Sequence, residues 1–222
     1  MTPSRHAWSS VACVASLLVA APLALLAEDL TPVGLYEYRE LRVGWMSVSA
    51  PSAKQTKPVT GSWDGGESQG SRFSLTYLTG KAPTDGLIGT VWGGIFNISS
   101  YQLGDAGVES SLVQPTFDLT YGWQYGILET DSLRGFAELL PFVGLGMSNV
   151  EIGDKRRLGW AAETGLKAGV FLTERNWELG ITGMFLLGLS QVSYTPDAAK
   201  EKSTYEFTSS DFGFGVEGGY RF

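Results

Sequence analysis

A strict alternation of apolar and polar residues runs through the middle of the chain, from Val113 to Ile127. The odd-numbered positions carry apolar or aromatic side chains, and the even-numbered positions between them carry Gln, Thr, Asp or Gly. Successive side chains of a β-strand point to opposite faces, so the pattern predicts a strand with one apolar face and one polar face. A helix, with its period of 3.6 residues, does not give that separation.

The same test identifies seven further segments, which makes eight predicted strands. The third segment, near 87–96, has apolar residues and glycines on both faces, so the pattern leaves its facing open. The predicted strands cover residues 40–45, 72–77, 87–96, 113–127, 138–147, 160–172, 177–190 and 212–222. An even number of alternating strands is typical of a transmembrane β-barrel, whose outward face is apolar and whose interior is polar.

The connections between the predicted strands alternate between short and long. Short connections are expected at 80–86, 129–135 and 173–176, and long ones at 49–71, 97–112, 148–158 and 191–207. A membrane barrel has short periplasmic turns and longer extracellular loops, with both termini on the periplasmic side. The layout therefore predicts an all-β fold, an eight-stranded antiparallel up-and-down transmembrane β-barrel.

Charged residues fall on the glycine-rich face of these strands. A soluble barrel of the lipocalin kind would turn the apolar face inward. Large rings such as Phe117, Trp123 and Phe214 would then crowd an interior that is only just wide enough for side chains. The polar face is therefore predicted to point inward, where its charges need partners. The predicted interior charge network is Glu40, Arg42, Arg72, Asp118, Glu138, Glu163, Lys167, Glu178, Glu217 and Arg221.

Aromatic residues cluster at the ends of the predicted strands. Membrane barrels carry aromatic girdles at both interfaces with water, so this clustering favours a membrane barrel over a soluble one. The periplasmic rim is predicted to carry Trp123, Tyr125, Trp177, Tyr220 and Phe222, and the outer rim Phe73 and Trp160.

The first 27 residues differ in kind from the rest of the chain. A short polar start with Arg5 precedes an apolar run from Val11 to Leu26, and Ala27 stands before the acidic Glu28. This order is typical of a secretory signal peptide, and the run is shorter than a membrane helix needs. The sequence predicts a signal peptide at 1–27 and one β-barrel domain at 28–222.

Removal of that signal peptide takes away the only cysteine, Cys13, and the only histidine, His6. The remainder has no disulfide, no Cys/His metal site and no Ser-His or Cys-His catalytic pair. Its formal charge changes from −7 to −8 with the loss of Arg5, which disfavours nucleic acid as a partner. Asp64 and Glu67 could contact a divalent ion, but a polar turn is favoured. We expect no enzyme activity, cofactor or metal.

The segment from Phe214 to Phe222 places aromatic residues at alternate positions. It resembles the β-signal of outer-membrane proteins, with Tyr220 and Phe222 as the assembly residues, although Glu217 stands where the family usually has glycine. Together with the strand layout, it makes the chain resemble small eight-stranded outer-membrane barrels such as the OmpA transmembrane domain and OmpX. The resemblance implies an outer-membrane monomer, periplasmic chaperones and the barrel assembly machinery as partners, and contact with outer-membrane lipids and lipopolysaccharide.

Three classes of function remain open for such a barrel. In the first, it is a structural anchor with a sealed polar interior, whose long loops, chiefly 49–71 and 191–207, contact an unknown surface ligand. In the second, it is a small channel or lateral conduit for apolar solutes, resembling OmpW. The third is a histidine-free lipid-modifying enzyme, a class disfavoured because the similar enzymes use histidine. We rank them in that order.

Overall fold

The computed structural model describes residues 36–57, 61–63, 69–82, 88–105, 108–130, 132–152, 155–194 and 203–222. The predicted signal peptide, Asp64 and Glu67 lie outside these residues. The described strands are β1 (Tyr36–Ser49), β2 (Ser52–Lys57), β3 (Gly61–Trp63), β4 (Gln69–Ala82), β5 (Ile88–Asp105), β6 (Val108–Glu129), β7 (Leu133–Ile152), β8 (Lys155–Glu174), β9 (Trp177–Tyr194) and β10 (Ser203–Arg221). No helix in the described part is long and apolar enough to cross a membrane.

Eight of these strands form a closed antiparallel ring. Its order is β1, β4, β5, β6, β7, β8, β9 and β10, and β10 pairs back onto β1. The closure joins Glu40–Ser47 of β1 to Phe214–Arg221 of β10, and backbone hydrogen bonds between Arg39 and Phe222 continue it. The prediction of an eight-stranded antiparallel up-and-down barrel is confirmed.

The alternation in the sequence sets the two faces of the ring. On β6, Phe117 and Leu119 are exposed on the outside, and Asp118 between them is buried inside. The third predicted strand, whose facing the pattern left open, is part of β5. It points Val91 and Ile95 inward. Both of its faces are therefore partly apolar, which is why alternation alone did not decide its orientation.

The outward faces form a continuous apolar belt around the ring. Its members are each between 39% and 72% exposed and include Leu41, Val43, Trp45, Phe73, Leu75, Tyr77, Trp92, Phe96, Ile98, Phe117, Leu119, Leu139, Val143, Leu145, Trp160, Val170, Leu179, Ile181, Phe212, Phe214 and Val216. Monomeric soluble proteins rarely expose contiguous apolar patches larger than a few hundred Å². A belt of this extent therefore marks a surface that contacts a membrane or another protein.

The three short connections are confirmed at one end of the ring. β4 ends at Ala82 and β5 begins at Ile88, and Glu129 and Leu133 bound the next connection. The tightest is the two-residue turn between β8 and β9, where Arg175 has a positive φ of 56°.

Two of the four predicted long connections, 97–112 and 148–158, are wrong, because the strands continue through them. β5 ends at Asp105 and β6 begins at Val108, so only two residues separate them along the chain. β7 ends at Ile152 and β8 begins at Lys155, which is the same separation. The other two are shortened: β2 and β3 lie within 49–71, and only residues 195–202 separate β9 from β10.

These prolonged strand ends form an outer extension of the barrel, in which the sense of the alternation is reversed. Polar residues such as Ser100, Gln102 and Asn149 face outward from it. Its interior is an apolar cluster that includes Tyr101, Leu103, Leu112, Val150, Val192, Tyr205 and Phe207. The extension was not predicted from the sequence, because its apolar residues point inward and the predicted strands have an outward apolar face.

On the edge of β10 that does not pair with β9, the pairing is interrupted where the partner changes from β1 to β2. Its pairs with β1 end at Ser47–Phe214, and its pairs with β2 run from Ser52–Thr208. Between them, the Asp211 carboxylate accepts hydrogen bonds from the Ser49 amide and from the Ser49 hydroxyl, the latter at 2.9 Å. Hydrogen bonds to the Asp211 side chain thus replace the backbone hydrogen bonds between strands at this point of the barrel wall.

Candidate functional site

All ten charged residues predicted for the interior lie inside the ring, and none is more than 9% exposed. They form two networks. The Arg42 network lies on the side of the short turns and comprises Arg42, Glu40, Glu138, Glu178, Glu217, Lys167 and Arg221. The Arg72 network, nearer the outer extension, comprises Arg72, Asp118 and Glu163.

The Arg42 guanidinium is the centre of the larger network. It donates two parallel hydrogen bonds to Glu138, from Nη1 to Oε1 at 2.7 Å and from Nη2 to Oε2 at 2.9 Å. It also forms ion pairs with Glu40 at 2.5 Å and with Glu178, and Glu217 lies 3.9 Å away. This bidentate arrangement of a guanidinium and a carboxylate gives two parallel charge-assisted hydrogen bonds, which are among the strongest in proteins.

Two further cations extend this network. Arg221 Nη2 donates to Glu40 at 2.9 Å and to Glu178 at 2.8 Å. Lys167 Nζ lies 2.6 Å from Oε1 of Glu217. Each carboxylate of the network therefore contacts at least one cation, which a charge without access to water requires.

Aromatic rings lie against the same cations on the side of the short turns. The Arg42 guanidinium carbon is 4.0 Å from the centre of the Phe171 ring, and Phe171 stacks on Phe136 at 5.3 Å. Arg221 lies 4.2 Å from the Tyr38 ring and 4.8 Å from that of Phe136. This layer was not predicted from the sequence, because Tyr38 and Phe136 lie just beyond the ends of the predicted strands.

The Arg72 network is smaller, and neutral side chains take part in it. Arg72 contacts both oxygens of Glu163, at 2.5 and 3.0 Å, and Oδ2 of Asp118 at 3.2 Å. The Asn97 amide donates to Asp118 at 2.7 Å, and the Thr116 hydroxyl donates to Glu163 at 2.6 Å. Hydrogen bonds from Asn97 and Thr116 thus supplement the contacts of the single guanidinium with two carboxylates, and Oδ1 of Asp118 accepts none from the described residues.

Interior glycines provide the space for these long side chains. Gly144 on β7 is the register partner of Asp118 on β6, and a Cβ atom at Gly144 would overlap the Asp118 carboxylate. A Cβ at Gly44 would lie 2.7 Å from Cγ of Glu217. At these two inward positions, glycine is therefore required for the packing of the networks.

Replacing Gly144 by alanine should destabilise the barrel by about 1–3 kcal/mol, the usual cost of forcing extra volume into a packed interior. Urea unfolding of the protein in detergent micelles, followed by tryptophan fluorescence, measures this change. The matched control is Gly218→Ala on β10, where an added Cβ meets no atom closer than 3.6 Å. Equal stability of the two variants would contradict the packing role.

The described interior leaves little free volume around the charges. One cavity beside the Arg72 network, lined by Asn97, Asp118, Lys167 and Glu217 among others, has a volume of about 10 Å³. A cavity of that size holds about one water molecule. No group of three His, Cys, Asp or Glu side chains within the described ranges is arranged to hold a metal ion. The networks thus have the form of a filled, hydrogen-bonded core.

Comparison with known proteins gives matches at the level of structure only. No protein-family model and no curated protein matches the sequence. Similar solved structures include Neisserial surface protein A (14% identity, 80% of this chain and 95% of that chain, TM-score 0.32). Two others are Ail, the attachment invasion locus protein of Yersinia pestis (12%, 83% and 98%, 0.33), and the outer membrane protein OprG of Pseudomonas aeruginosa (13%, 85% and 97%, 0.41).

Proposed function

We propose that this protein is an outer-membrane β-barrel that acts as a sealed structural anchor and holds its outer extension at the cell surface. The reversal of polarity along single strands carries the proposal. Along β10, the outward side chains change from Phe214 and Phe212 to Ser210 and Thr208. The inward side chains of the same strand change from Arg221 and Glu217 to Phe207 and Tyr205. Such a change fits a surrounding medium that switches from lipid to water at the same level.

The level of this change is similar on neighbouring strands. Ser47 of β1 pairs with Ser71 of β4, and Ser71 pairs with Ser100 of β5. These serines border the apolar belt on the side of the outer extension. We take this border as the outer membrane surface, so the short turns lie on the periplasmic side.

The height of the apolar belt also fits a membrane. On β9 its outward positions run from Trp177 to Leu189. At about 3.3 Å per residue and a strand tilt of about 40°, this run is about 30 Å tall. The hydrocarbon core of a bilayer has about the same thickness.

Assembly and partners follow from this proposal. The Tyr220 and Phe222 rings are 41% and 60% exposed on the outer face, where the barrel assembly machinery could bind them. The belt would contact outer-membrane lipids and lipopolysaccharide, and the extension would present its surface to ligands outside the cell. A ring closed by its own β1 and β10 needs no second copy to pair its edges, which favours a monomer.

Cell fractionation with gel electrophoresis tests the proposal. The protein should be found with the outer membrane, and its unboiled form should migrate faster than the boiled form, because the folded barrel is compact. A soluble product with the same mobility before and after boiling would refute the membrane assignment.

A conduit for apolar solutes is the second candidate, and two observations favour it. The interior of the outer extension is apolar, and the break in β10 pairing, bridged by Asp211 and Ser49, lies in the wall beside it. Liposomes containing the protein separate the two candidates. The anchor predicts no ion conductance and no uptake of an apolar dye, whereas uptake that increases in Asp211→Ala would favour the conduit.

A further inference from the structure

The apolar belt is much shorter on β1 and β4 than on β9, which lies two strands from β1 in the ring. On β1 its outward positions are only Leu41, Val43 and Trp45, which span about 10 Å at about 2.5 Å of height per residue in a tilted strand. The run on β9 is about 30 Å tall by the same measure. With the serine border as the outer membrane surface, the polar residues on the other side of this short run, among them Arg39 and Glu37, would face the inner leaflet of the bilayer.

A groove of about 640 Å³ lies on this part of the outer surface, towards the short turns. One row of outward residues crosses it from strand to strand. Phe222 is hydrogen-bonded through its backbone to Arg39, Arg39 is the register partner of Thr79, and Thr79 is the partner of Trp92. Two exposed aromatic rings thus flank a cation and a hydroxyl group.

Two more charges complete the lining of the groove. Glu37 is the register partner of Lys81, and both side chains are exposed. Lys81 lies diagonally across the strand pair from Arg39, a separation that long side chains can bridge to a shared ligand. The corresponding ends of β6 and β9 carry the aromatic side chains of Tyr125 and Trp177 instead. The charged groove therefore distinguishes β1 and β4 from these two strands.

We infer that this groove binds the headgroup of a zwitterionic phospholipid with a primary amine, phosphatidylethanolamine, in the inner leaflet. Its phosphate would lie between Arg39 and Lys81, whose donors form charge-assisted hydrogen bonds, and its ammonium would face Glu37. Trp92 and Phe222 would contact the glycerol and upper acyl region, where aromatic side chains are favoured. The inference rests on the proposed function, because only a membrane barrel meets this ligand.

Native mass spectrometry of the full chain, extracted from membranes and mixed with phosphatidylethanolamine and phosphatidylglycerol, tests the inference. The wild type should retain phosphatidylethanolamine preferentially. Arg39→Ala/Lys81→Ala should bind it about tenfold more weakly, the effect expected from losing the phosphate contacts. Glu37→Gln should remove the preference over phosphatidylglycerol, because that lipid has no ammonium group.

The control variant is Arg134→Ala/Arg175→Gly, which removes two cations from other periplasmic-side positions. Glycine adopts the φ of 56° at position 175 without strain. This variant should bind the lipid like the wild type. Unchanged binding by the Arg39/Lys81 variant, or an unchanged preference in Glu37→Gln, would overturn the inference. Heat modifiability verifies that each variant is folded, and a wild type absent from the outer membrane would refute the proposed function instead.

Discussion

Replacing Arg42 by methionine should lower the free energy of unfolding by about 3–5 kcal/mol, the cost of leaving buried charges without their partner. The side chain is fully buried and contacts Glu40, Glu138 and Glu178. Methionine fills much of the same volume but leaves these carboxylates without their shared cation. Urea unfolding in micelles, and the temperature at which the fast-migrating gel band disappears, both measure the loss.

The control for this prediction is Arg134→Met on β7. Arg134 forms an ion pair with Glu129 at 3.1 Å, but its side chain is 45% exposed, so the change should cost less than about 1 kcal/mol. In the double variant Arg42→Met/Glu138→Leu, the loss should be smaller than the sum of the single losses, because the two residues interact directly. An Arg42 variant as stable as the Arg134 variant would show that the network does not hold the barrel together.

Replacing Leu119 by arginine should destabilise the barrel in lipid vesicles by about 2–4 kcal/mol, as expected for a charge near the middle of a bilayer. Leu119 lies on the outward face of β6 and is 61% exposed. If water surrounded this surface, the same substitution would change stability by no more than about 0.5 kcal/mol. The size of the effect in an unfolding titration therefore reports which solvent the belt faces.

Gln102→Arg on β5 provides the matched comparison. Gln102 is exposed on the same outer face of the ring, but it lies above the serine border, on the outer extension. The charge should be tolerated there with little change in stability. Equal stability of the Leu119 and Gln102 variants would argue against a membrane around the belt.

The alternation of the sequence was enough to predict the number of strands in the ring, its closure and which charges face inward, but it did not predict β2 and β3. Asp118 illustrates why: it stands between Phe117 and Leu119, and the two-residue period of a strand leaves no other arrangement of these side chains. The same rule holds for Arg42 between Leu41 and Val43. Whether a side chain points inward or outward depends on its immediate neighbours in the sequence, so it could be predicted from them.

The contacts within the networks could not be predicted in the same way. Arg42 and Glu138 are 96 residues apart and lie on strands that are not neighbours in the ring. Whether they meet depends on the register of every strand pair between them, and register is a property of the whole closed sheet. The outer extension was not predicted for a different reason. The strands were identified by an apolar outward face, whereas in the extension the apolar residues point inward.

Closure of the ring has a consequence for the order of folding. Glu40 and Arg221, which form an ion pair where β1 meets β10, are separated by 181 residues. Contacts between such distant residues form slowly, because much chain entropy is lost before they contribute any stabilisation. Until they form, β1 and β10 each have an unpaired edge that can pair with another chain. The most aggregation-prone species on the pathway is therefore a nearly complete sheet that has not yet joined its ends.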